Sequence, residues 1–271
     1  MRSSPLLHCA LTIAGSDSGG GAGIQADLKT FAALNVHGTS AITCLTAQNP
    51  KGVRGIQAGT VAIVRQQIEA IFEELPPAAV KTGMLYSAPI IQAVADLLDR
   101  PKAPPLVVDP VMVATSGDHL LKPAAIRSLC DRLLPLASLI TPNLHEAEIL
   151  TRRPLKSVED LRTAARLLHQ QFGCAVLLKG GHLKGLIEAV DIYYARNEEL
   201  LLTAPFIRRV STHGTGCTYS AAITAWLARG QTLPEAVKRA KVFITGAIAG
   251  AQRAGRHSVL NSFWISQRRQ P

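Results

Sequence analysis

Apolar runs of strand length alternate along the chain with segments of helical periodicity. The periodicity is clear at Ile24, Leu28, Phe31 and Leu34 and again over Val61–Ile71, where apolar residues recur every three or four positions. This alternation is typical of a mostly parallel sheet with helices on both faces. The segments predicted as strands are Leu6–Ala14, Ser40–Leu45, Ala78–Lys81, Leu106–Asp109, Leu139–Thr141, Ala175–Lys179 and Ala189–Tyr194.

Further helices are predicted from the residues at which they start. Ser157 and Asp160 have the spacing of a capping box, and Thr232–Glu235 opens the last long helix in the same way, with a proline in its first turn. Thr218–Arg229 is a third helical run. No linker, low-complexity stretch or internal repeat divides the chain. We therefore expect one doubly wound α/β domain that covers residues 1–271.

Composition excludes several classes of protein. Of the 271 residues, 47% are hydrophobic and 18% charged, which is too apolar for a disordered chain or a coiled coil, and no apolar run is long enough to span a membrane. Five cysteines without C-x-x-C spacing argue against a disulfide framework or a structural zinc site. The apolar start Met1–Ala14 runs into Gly15–Asp17 and not into a cleavage site, so we expect a buried strand of a cytoplasmic protein.

The formal net charge of +10 indicates anionic partners, which include nucleic acids, acidic lipids and phosphorylated small molecules. The basic residues are scattered, and aromatic residues make up only 4% of the chain. Nucleic-acid sites, in contrast, concentrate basic residues and often add stacking aromatic rings. Solvated surface charge accounts for the scattered basic residues, and we expect no nucleic-acid partner and no membrane partner.

Ligands of such sheets bind beyond the carboxyl ends of the strands, so the residues that follow the predicted strands form the candidate site. They are rich in glycine and polar side chains: Gly15–Asp17, Ala47–Asn49, Gly83 and Met84, Asp109 and Pro110, Asn143, and Gly180 and Gly181.

The first glycine-rich segment, Gly15–Gly23, has five glycines in nine residues, which predicts backbone lying close against a ligand. Within it, Gly21-x-Gly23-x-x-Ala26 matches a relaxed dinucleotide-binding fingerprint. That fingerprint also requires a carboxylate about 20 residues later, whereas the next acid after Asp27 is Glu69. A dinucleotide-dependent oxidoreductase is therefore a distant alternative.

The second glycine-rich segment, Thr212–Cys217, precedes a helical run and offers a phosphate cradle. Free amides and the helix dipole at a helix start both favour an anion, and the chain contains no Walker phosphate loop. Cys217 falls in the first turn, where a thiolate is favoured and the thiol pKa is expected to fall. The alternative is a small buried residue that packs the helix start.

Three polar residues at other strand ends could bind charge. Asn143 and Glu146 have the spacing of a capping box, and the same amide and carboxylate suit a hydrated Mg²⁺; the two roles are compatible. Lys179 ends a buried strand, which is costly unless its ammonium emerges onto an anion.

Together these segments resemble the hydroxymethylpyrimidine/phosphomethylpyrimidine kinases of thiamine biosynthesis, within the ribokinase-like superfamily. The likeness runs from about Leu11 to Phe243 and more weakly to Phe263. The segments that carry it are Ala14–Asp27, Thr46–Asn49, Lys81–Leu85, Val108–Met112, Thr141–Asn143, Lys179–His182 and His213–Cys217. The resemblance implies a ribokinase-like α/β fold with a mostly parallel central sheet, helices on both faces and no separate lid domain.

The resemblance also implies a reaction, namely ATP-dependent phosphorylation of 4-amino-5-hydroxymethyl-2-methylpyrimidine and then of its monophosphate, with ATP and Mg²⁺ as cofactors. The residues expected to bind the pyrimidine are Gln48, Asp27, Met84 and Gly15. Those expected to bind ATP are Lys179, Asn143 and Thr215, and those expected to hold the metal are Glu146 and Asp109. Cys217 would act as general base where sugar kinases of the superfamily carry aspartate, with the amides of Gly214 and Gly216 stabilising charge.

Two segments depart from the family pattern. His145 stands where the family often has proline, and Gly255–Val259 differs from the usual Gly-His-Gly-Pro-Val, so we expect no particular role for the C-terminal segment. A pyridoxine or pyridoxal kinase of the same fold is the near alternative, because its substrate is also a hydroxymethyl-bearing nitrogen heterocycle. Relatives are often dimers, and a homodimer is expected.

Overall fold

The molecule is built around a long, mixed β-sheet. The structure is a computed structural model that describes residues 7–113, 121–181, 183, 185–196, 198–207, 210 and 213–267. The strands among these residues are β1 (Cys9–Asp17), β2 (His37–Asn49), β3 (Gly52–Ala58), β4 (Ala79–Thr82), β5 (Leu106–Val108), β6 (Leu139–Ile140), β7 (Ala175–Lys179), β8 (Glu188–Ala195), β9 (Glu198–Pro205), β10 (Gln252–Ala254) and β11 (His257–Val259). The helices are α1 (Gly23–Ala33), α2 (Val61–Glu74), α3 (Ala88–Leu98), α4 (Pro123–Ser128), α5 (Leu144–Thr151), α6 (Val158–Phe172), α7 (Thr215–Ala228), α8 (Leu233–Ala249) and α9 (Trp264–Gln267).

The order of the strands creates a switch point beside β1. Within the described residues the sheet has the order β3-β2-β1-β4-β5-β6-β7-β8-β9, and β10 and β11 form a separate hairpin. β1 pairs in parallel with both β2 and β4, and the pairing stays parallel through β7, whereas β3, β8 and β9 are antiparallel to their neighbours. Open α/β sheets bind ligands at such a switch point. The predicted mostly parallel sheet is confirmed.

Helices cover both faces of the sheet because alternate strand residues point to opposite sides. Leu11 and Ile13 of β1 belong to the apolar core that includes α2 to α6, whereas the neighbouring Ala10 belongs to the core that includes α1, α7 and α8. The central strands are therefore buried on both faces, which is the reason for their continuous apolar runs. No helix in the described part of the chain has both the length and the apolar character needed to cross a lipid bilayer.

Several predicted strand boundaries are wrong. β1 continues to Asp17 and β2 covers His37–Asn49, so Gly15–Asp17 and Ala47–Asn49 lie within strands and not after them. β3 and β9 were not predicted, because both are edge strands with largely exposed residues. β3 carries no apolar run, and the run of three leucines in β9, Leu200–Leu202, is too short to predict a strand by itself. Leu6, the predicted start of the first strand, lies outside the described residues.

The predicted helix starts are confirmed, with two differences in detail. The hydroxyl of Ser157 accepts a hydrogen bond from the Asp160 N–H at 3.1 Å, and the Asp160 carboxylate accepts one from the Ser157 N–H at 2.9 Å. α8 begins after Thr232 with proline in its first turn, but the Thr232 side chain makes no capping hydrogen bond. α7 begins at Thr215, three residues before the predicted run.

Candidate active site

The carboxyl ends of the parallel strands line a cavity of about 520 Å³, a volume typical of small-molecule sites. Every predicted site residue except Asp27 lies in its wall. These residues are Gly15, Gln48, Met84, Asp109, Asn143, Glu146, Lys179, Gly214, Thr215, Gly216 and Cys217. The switch point of the sheet thus brings together residues from both ends of the chain.

The wall formed by β1, β2 and the segment after β4 contains the sulfur atom of Met84 and the side-chain amides of Gln48 and Asn49. A Cβ added at Gly15 would lie 2.8 Å from Cys44 Sγ and 3.8 Å from Met84 Sδ, so the glycine leaves the slot open. The Thr46 hydroxyl lies 2.9 Å from the Ser16 carbonyl oxygen and 3.1 Å from Gln48 Oε1, and the Gln48 NH₂ group is a donor at the cavity wall. A slot with polarisable apolar walls and a donor suits a planar nitrogen heterocycle.

Asp27 lies beneath the cavity and not in its wall, so the prediction that it lines the substrate pocket is wrong. Its Oδ2 accepts hydrogen bonds from the Thr12 hydroxyl at 2.6 Å and from Lys81 Nζ at 2.9 Å, and both charged side chains are fully buried. Lys81 does reach the cavity floor. Sequence reasoning gave it no role, although a lysine inside the buried strand β4 was a usable signal, since an unpaired buried ammonium is costly.

The positive charge of Lys81 is favoured by nearby negative charges, chiefly that of Asp27. Burial lowers the pKa of the Lys81 ammonium more than any single neighbour raises it, but the surrounding negative charges, of which that of Asp27 acts most strongly, together outweigh burial, and the pKa is raised. Burial also raises the pKa of Asp27, against the charge of Lys81. The two side chains therefore place a buried ion pair under the cavity.

Asp109 and Lys179 form a second buried ion pair at the cavity wall. Lys179 Nζ donates to Asp109 Oδ1 at 2.9 Å, and Oδ1 also accepts from the Thr141 hydroxyl at 3.1 Å. The Ser220 hydroxyl lies 3.2 Å from Oδ2 and 2.9 Å from the Gly216 carbonyl oxygen. Burial by itself raises the pKa of Asp109, but the charges of Lys179 and Lys81 hold it below its ordinary value. The anion that the buried lysine required is thus supplied by the protein itself.

The predicted capping box at the start of α5 is confirmed. Asn143 Oδ1 accepts from the Glu146 N–H at 3.0 Å, and Glu146 Oε2 accepts from the Asn143 N–H at 2.8 Å. Glu146 Oε1 accepts from the Met112 N–H at 3.1 Å. Burial raises the pKa of Glu146 to about 7, so this carboxyl is only partly ionised near neutral pH.

The two predicted metal ligands, Glu146 and Asp109, suit a magnesium ion that takes most of its ligands from water and substrate phosphates. Among the described residues, no three His, Cys, Asp or Glu side chains form a group that could hold a metal. Glu146 and Asp109 line the cavity, yet each already accepts hydrogen bonds from the protein. Because Mg²⁺ in phosphoryl-transfer sites uses one or two carboxylates, several waters and the substrate phosphates, the pair suits such an ion.

The start of α7 faces the cavity and contacts the first glycine-rich segment. Its N-cap, Gly214, has a φ of +80° and lies so close to the carbonyl oxygen of Gly21 that a Cβ has no room. A Cβ on Gly216 would lie 3.3 Å from Lys179 Nζ. Part of the glycine excess therefore serves contact between two backbone segments and not contact with a ligand. The Thr215 hydroxyl is buried with no hydrogen-bond partner in the described structure.

Cys217 lies in the first turn of α7 and in the cavity wall. Burial raises the pKa of its thiol to about 11, although the nearby charge of Lys81 acts in the opposite direction. The expected fall of this pKa is wrong, because desolvation outweighs the helix start. Two motif residues, His182 and Thr212, lie outside the described residues.

Three features are typical of an α/β phosphotransferase: the sheet order, the start of α7 at the cavity, and Lys81 and Lys179 beside it. A family model described as phosphomethylpyrimidine kinase matches residues 17–261. The chain therefore belongs to the phosphomethylpyrimidine kinase family.

Two curated relatives show how much of the chain the likeness covers. The hydroxymethylpyrimidine/phosphomethylpyrimidine kinase of Rhizobium meliloti is 50% identical over 245 residues, which are 90% of this chain and 91% of that protein. The thiamine biosynthesis bifunctional protein ThiED of Geobacter sulfurreducens is 49% identical over 252 residues, 93% of this chain and 51% of that protein. The chain thus spans about half the length of the bifunctional relative.

Solved structures with the same fold include kinases of two kinds. Phosphomethylpyrimidine kinase from Clostridium difficile 630 has a TM-score of 0.79 and 46% identity, covering 89% of this chain and 99% of that chain. Pyridoxal kinase from Bacillus subtilis in an ADP complex has a TM-score of 0.88 and 38% identity, covering 97% of this chain and 100% of that chain. Pyridoxal kinase from Staphylococcus aureus in complex with AMP-PCP and pyridoxal has a TM-score of 0.88 and 33% identity, covering 97% of this chain and 96% of that chain. These neighbours confirm the predicted ribokinase-like fold, and the family favours a kinase over the oxidoreductase alternative.

Proposed function

We propose that the chain is an ATP-dependent kinase that phosphorylates the hydroxymethyl group of 4-amino-5-hydroxymethyl-2-methylpyrimidine and then phosphorylates the monophosphate, in thiamine biosynthesis. One observation carries the proposal: a single cavity joins the heterocycle slot around Gln48 and Met84 to Lys81, Lys179 and the start of α7. Phosphoryl transfer requires chiefly alignment and neutralisation of charge. The family and the nucleotide-bound neighbours support the same activity.

The acceptor is oriented by the slot. The Gln48 amide hydrogen-bonds the nitrogen edge of the pyrimidine, and Gly15 and Met84 pack against its faces. This leaves the hydroxymethyl group directed toward the α7 start, where the phosphoryl group arrives.

The transferred phosphoryl group is stabilised by fixed donors and cations. The amides of Gly214 to Cys217 and the Thr215 hydroxyl donate to its oxygens, and Lys179 and Lys81 neutralise its charge. Asn143 takes part in binding the ATP phosphates. Glu146 and Asp109 would hold a Mg²⁺ ion, whose chemistry there would be to neutralise phosphate charge.

Cys217 remains the candidate general base, under a condition that its pKa imposes. A thiol with a pKa of about 11 must first lose its own proton, so a base role predicts a kcat that rises with alkaline pH. If Cys217 is the base, Cys217→Ala lowers kcat by about 100- to 10,000-fold and removes that rise. A near-unchanged kcat at saturating substrates would instead assign catalysis to the amides and lysines, because a loose transition state needs little activation of the alcohol.

The identity of the reaction is tested by product analysis. Purified protein, MgATP and the pyrimidine alcohol are expected to yield the monophosphate and then the diphosphate by mass spectrometry. Monophosphate alone would remove the second step from the proposal, and the absence of both products would reject it.

Pyridoxal kinase is the second candidate, because two pyridoxal kinases match this fold with TM-scores of 0.88. The proposal predicts a higher kcat/KM for the pyrimidine alcohol than for pyridoxal, and the reverse order favours the second candidate. A thermal-shift comparison of MgATP, NADH and an oligonucleotide provides a check on class, since only a ligand that binds the native state stabilises it.

A further inference from the structure

Asp17, the last residue of β1, turns its carboxylate into the protein at the edge of the cavity. The residue is 3% exposed. Its Oδ1 accepts the N–H of Gly19 at 2.8 Å, and its Oδ2 accepts the N–H groups of Gly21 at 3.1 Å and Ala22 at 2.8 Å. These three bonds fold the first glycine-rich segment back onto its own strand.

A fourth partner comes from the segment that precedes α7. His213 Nε2 lies 3.2 Å from Asp17 Oδ2, although 196 positions separate the two residues in the chain. Burial by itself raises the pKa of Asp17, but the hydrogen bonds from His213, Ala22 and Gly19 hold it below its ordinary value. The carboxylate is therefore ionised at neutral pH and can accept from all of these donors.

A second contact joins the same two segments. Gly214 packs against the carbonyl oxygen of Gly21, and a Cβ on Gly21 would lie 2.7 Å from the His213 ring. The first glycine-rich segment and the start of α7 therefore fit together as one unit, with Asp17 as the shared anchor.

We infer that Asp17 and His213 are positioning residues for phosphoryl transfer, an inference that rests on the proposed function. Gly15–Asp17, Ala22 and Gly23 of the first glycine-rich segment line the cavity, and so does the start of α7. Under the proposed function the first group lies on the acceptor side and the second on the phosphate side. The Asp17–His213 bridge thus sets the distance between the acceptor oxygen and the phosphorus atom. A misplacement of about 1 Å at a reacting centre costs about 100-fold in rate.

The test uses paired substitutions of His213. His213→Phe keeps a ring without a donor, whereas His213→Gln keeps an amide nitrogen at about the place of Nε2. We expect His213→Phe to lower kcat about 10- to 100-fold with unchanged KM for both substrates, and to release more ADP per phosphorylated alcohol because water competes for the phosphoryl group. His213→Gln is expected to restore most of the kcat and the wild-type ratio of ADP to product.

Lys29→Met is the matched control. Lys29 Nζ donates to the Gly20 carbonyl at 2.8 Å from an exposed position, so it holds the same glycine-rich segment without reaching α7, and its loss is expected to leave kinetics unchanged. Wild-type kcat and ADP ratio in His213→Phe would overturn the inference. The inference would also be overturned if His213→Phe and His213→Gln lost the same fraction of kcat and this loss only followed a lower melting temperature.

Hydrogen exchange separates this inference from the proposed function. ADP alone is expected to slow amide exchange at residues 19–22 in the wild-type chain but not in His213→Phe or Asp17→Asn. This result would support the bridge even if the pyrimidine alcohol yields no product and the proposed function fails. Equal protection in all three proteins, or no protection in the wild-type chain, would overturn it.

Discussion

Buried charge in this site is arranged in pairs that bring cations to the cavity. Lys81 with Asp27 and Lys179 with Asp109 are each joined at 2.9 Å with little or no exposure. Replacing both members of such a pair by uncharged residues is often tolerated, whereas removing one member leaves an uncompensated charge. The pairs are thus better explained by the positive charge they place at the cavity than by stability.

This difference predicts the stability of two variants. Lys81→Met is expected to lower the free energy of unfolding by about 3–5 kcal/mol, because Asp27 loses its counter-ion, and Lys81→Met with Asp27→Asn is expected to recover much of the loss. Urea unfolding measures both. Arg132→Met, which removes an exposed ion pair with Asp96, is the surface control at about 0.5 kcal/mol. A Lys81→Met loss no larger than this would contradict the prediction.

The raised pKa of Cys217 predicts slow alkylation. The thiolate is the reactive form, so iodoacetamide is expected to modify Cys217 more slowly at neutral pH than a free cysteine, with a rate that rises up to a pH of about 11. Peptide mass spectrometry after timed labelling follows this cysteine separately from the other four. Rapid labelling that levels off near neutral pH would show that the thiolate is stabilised.

At the residue scale, sequence reasoning found side chains whose role shows in their own segment. Lys179 ends a buried strand, and Asn143 with Glu146 has the spacing of a cap. Sequence reasoning placed Asp27 wrongly and gave Lys81 no role. The two side chains pair with each other across 54 positions of the chain, so neither position can be inferred from its own segment.

At the scale of single elements, the residue type at the N-cap position predicts where a helix begins, whether or not its side chain forms the capping bond. The Ser157 cap is formed in full, whereas Thr232 occupies the same position in α8 without a side-chain bond. Both residues match the sequence preference for an N-cap. Spacing therefore predicts the helix start, and only the rotamer decides whether a bond forms.

The two caps provide a paired test. Ser157→Ala is expected to lower the free energy of unfolding by about 1 kcal/mol, because the Asp160 amide loses its acceptor, and Thr232→Ala is expected to change it much less. Thermal or urea unfolding of both variants measures the difference. Equal losses would show that the hydroxyl bond at Ser157 contributes nothing specific.

At the scale of the whole molecule, both cores share one sheet. The core with α2 to α6 and the core with α1, α7 and α8 lie on opposite faces of the same strands. If the helices of one core come away, the apolar side chains on that face of the sheet are exposed to water. The strands that carry these side chains also carry the other core, so loss of one core destabilises both. This arrangement supports the prediction of a single domain, and the expected homodimer also remains a prediction.

A single domain predicts one cooperative unfolding transition. Trp226 and Trp264 pack against the core of α1, α7 and α8, so their fluorescence follows one face, whereas far-ultraviolet circular dichroism follows the whole backbone. The two signals are expected to change at the same urea concentration. Two separated midpoints would indicate that the faces unfold independently.

The sequence by itself determined the fold class, the central strands and a set of site residues of which all but Asp27 lie in the cavity wall. It could do so because hydrophobic periodicity, helix caps and glycine clusters are properties of residues that are close together in the chain. Only the tertiary structure decided the edge strands, the pairing of Lys81 with Asp27, the protonation of Cys217 and the bridge from Asp17 to His213. Each of these depends on which distant segments the sheet order brings into contact, and on how much water that contact removes.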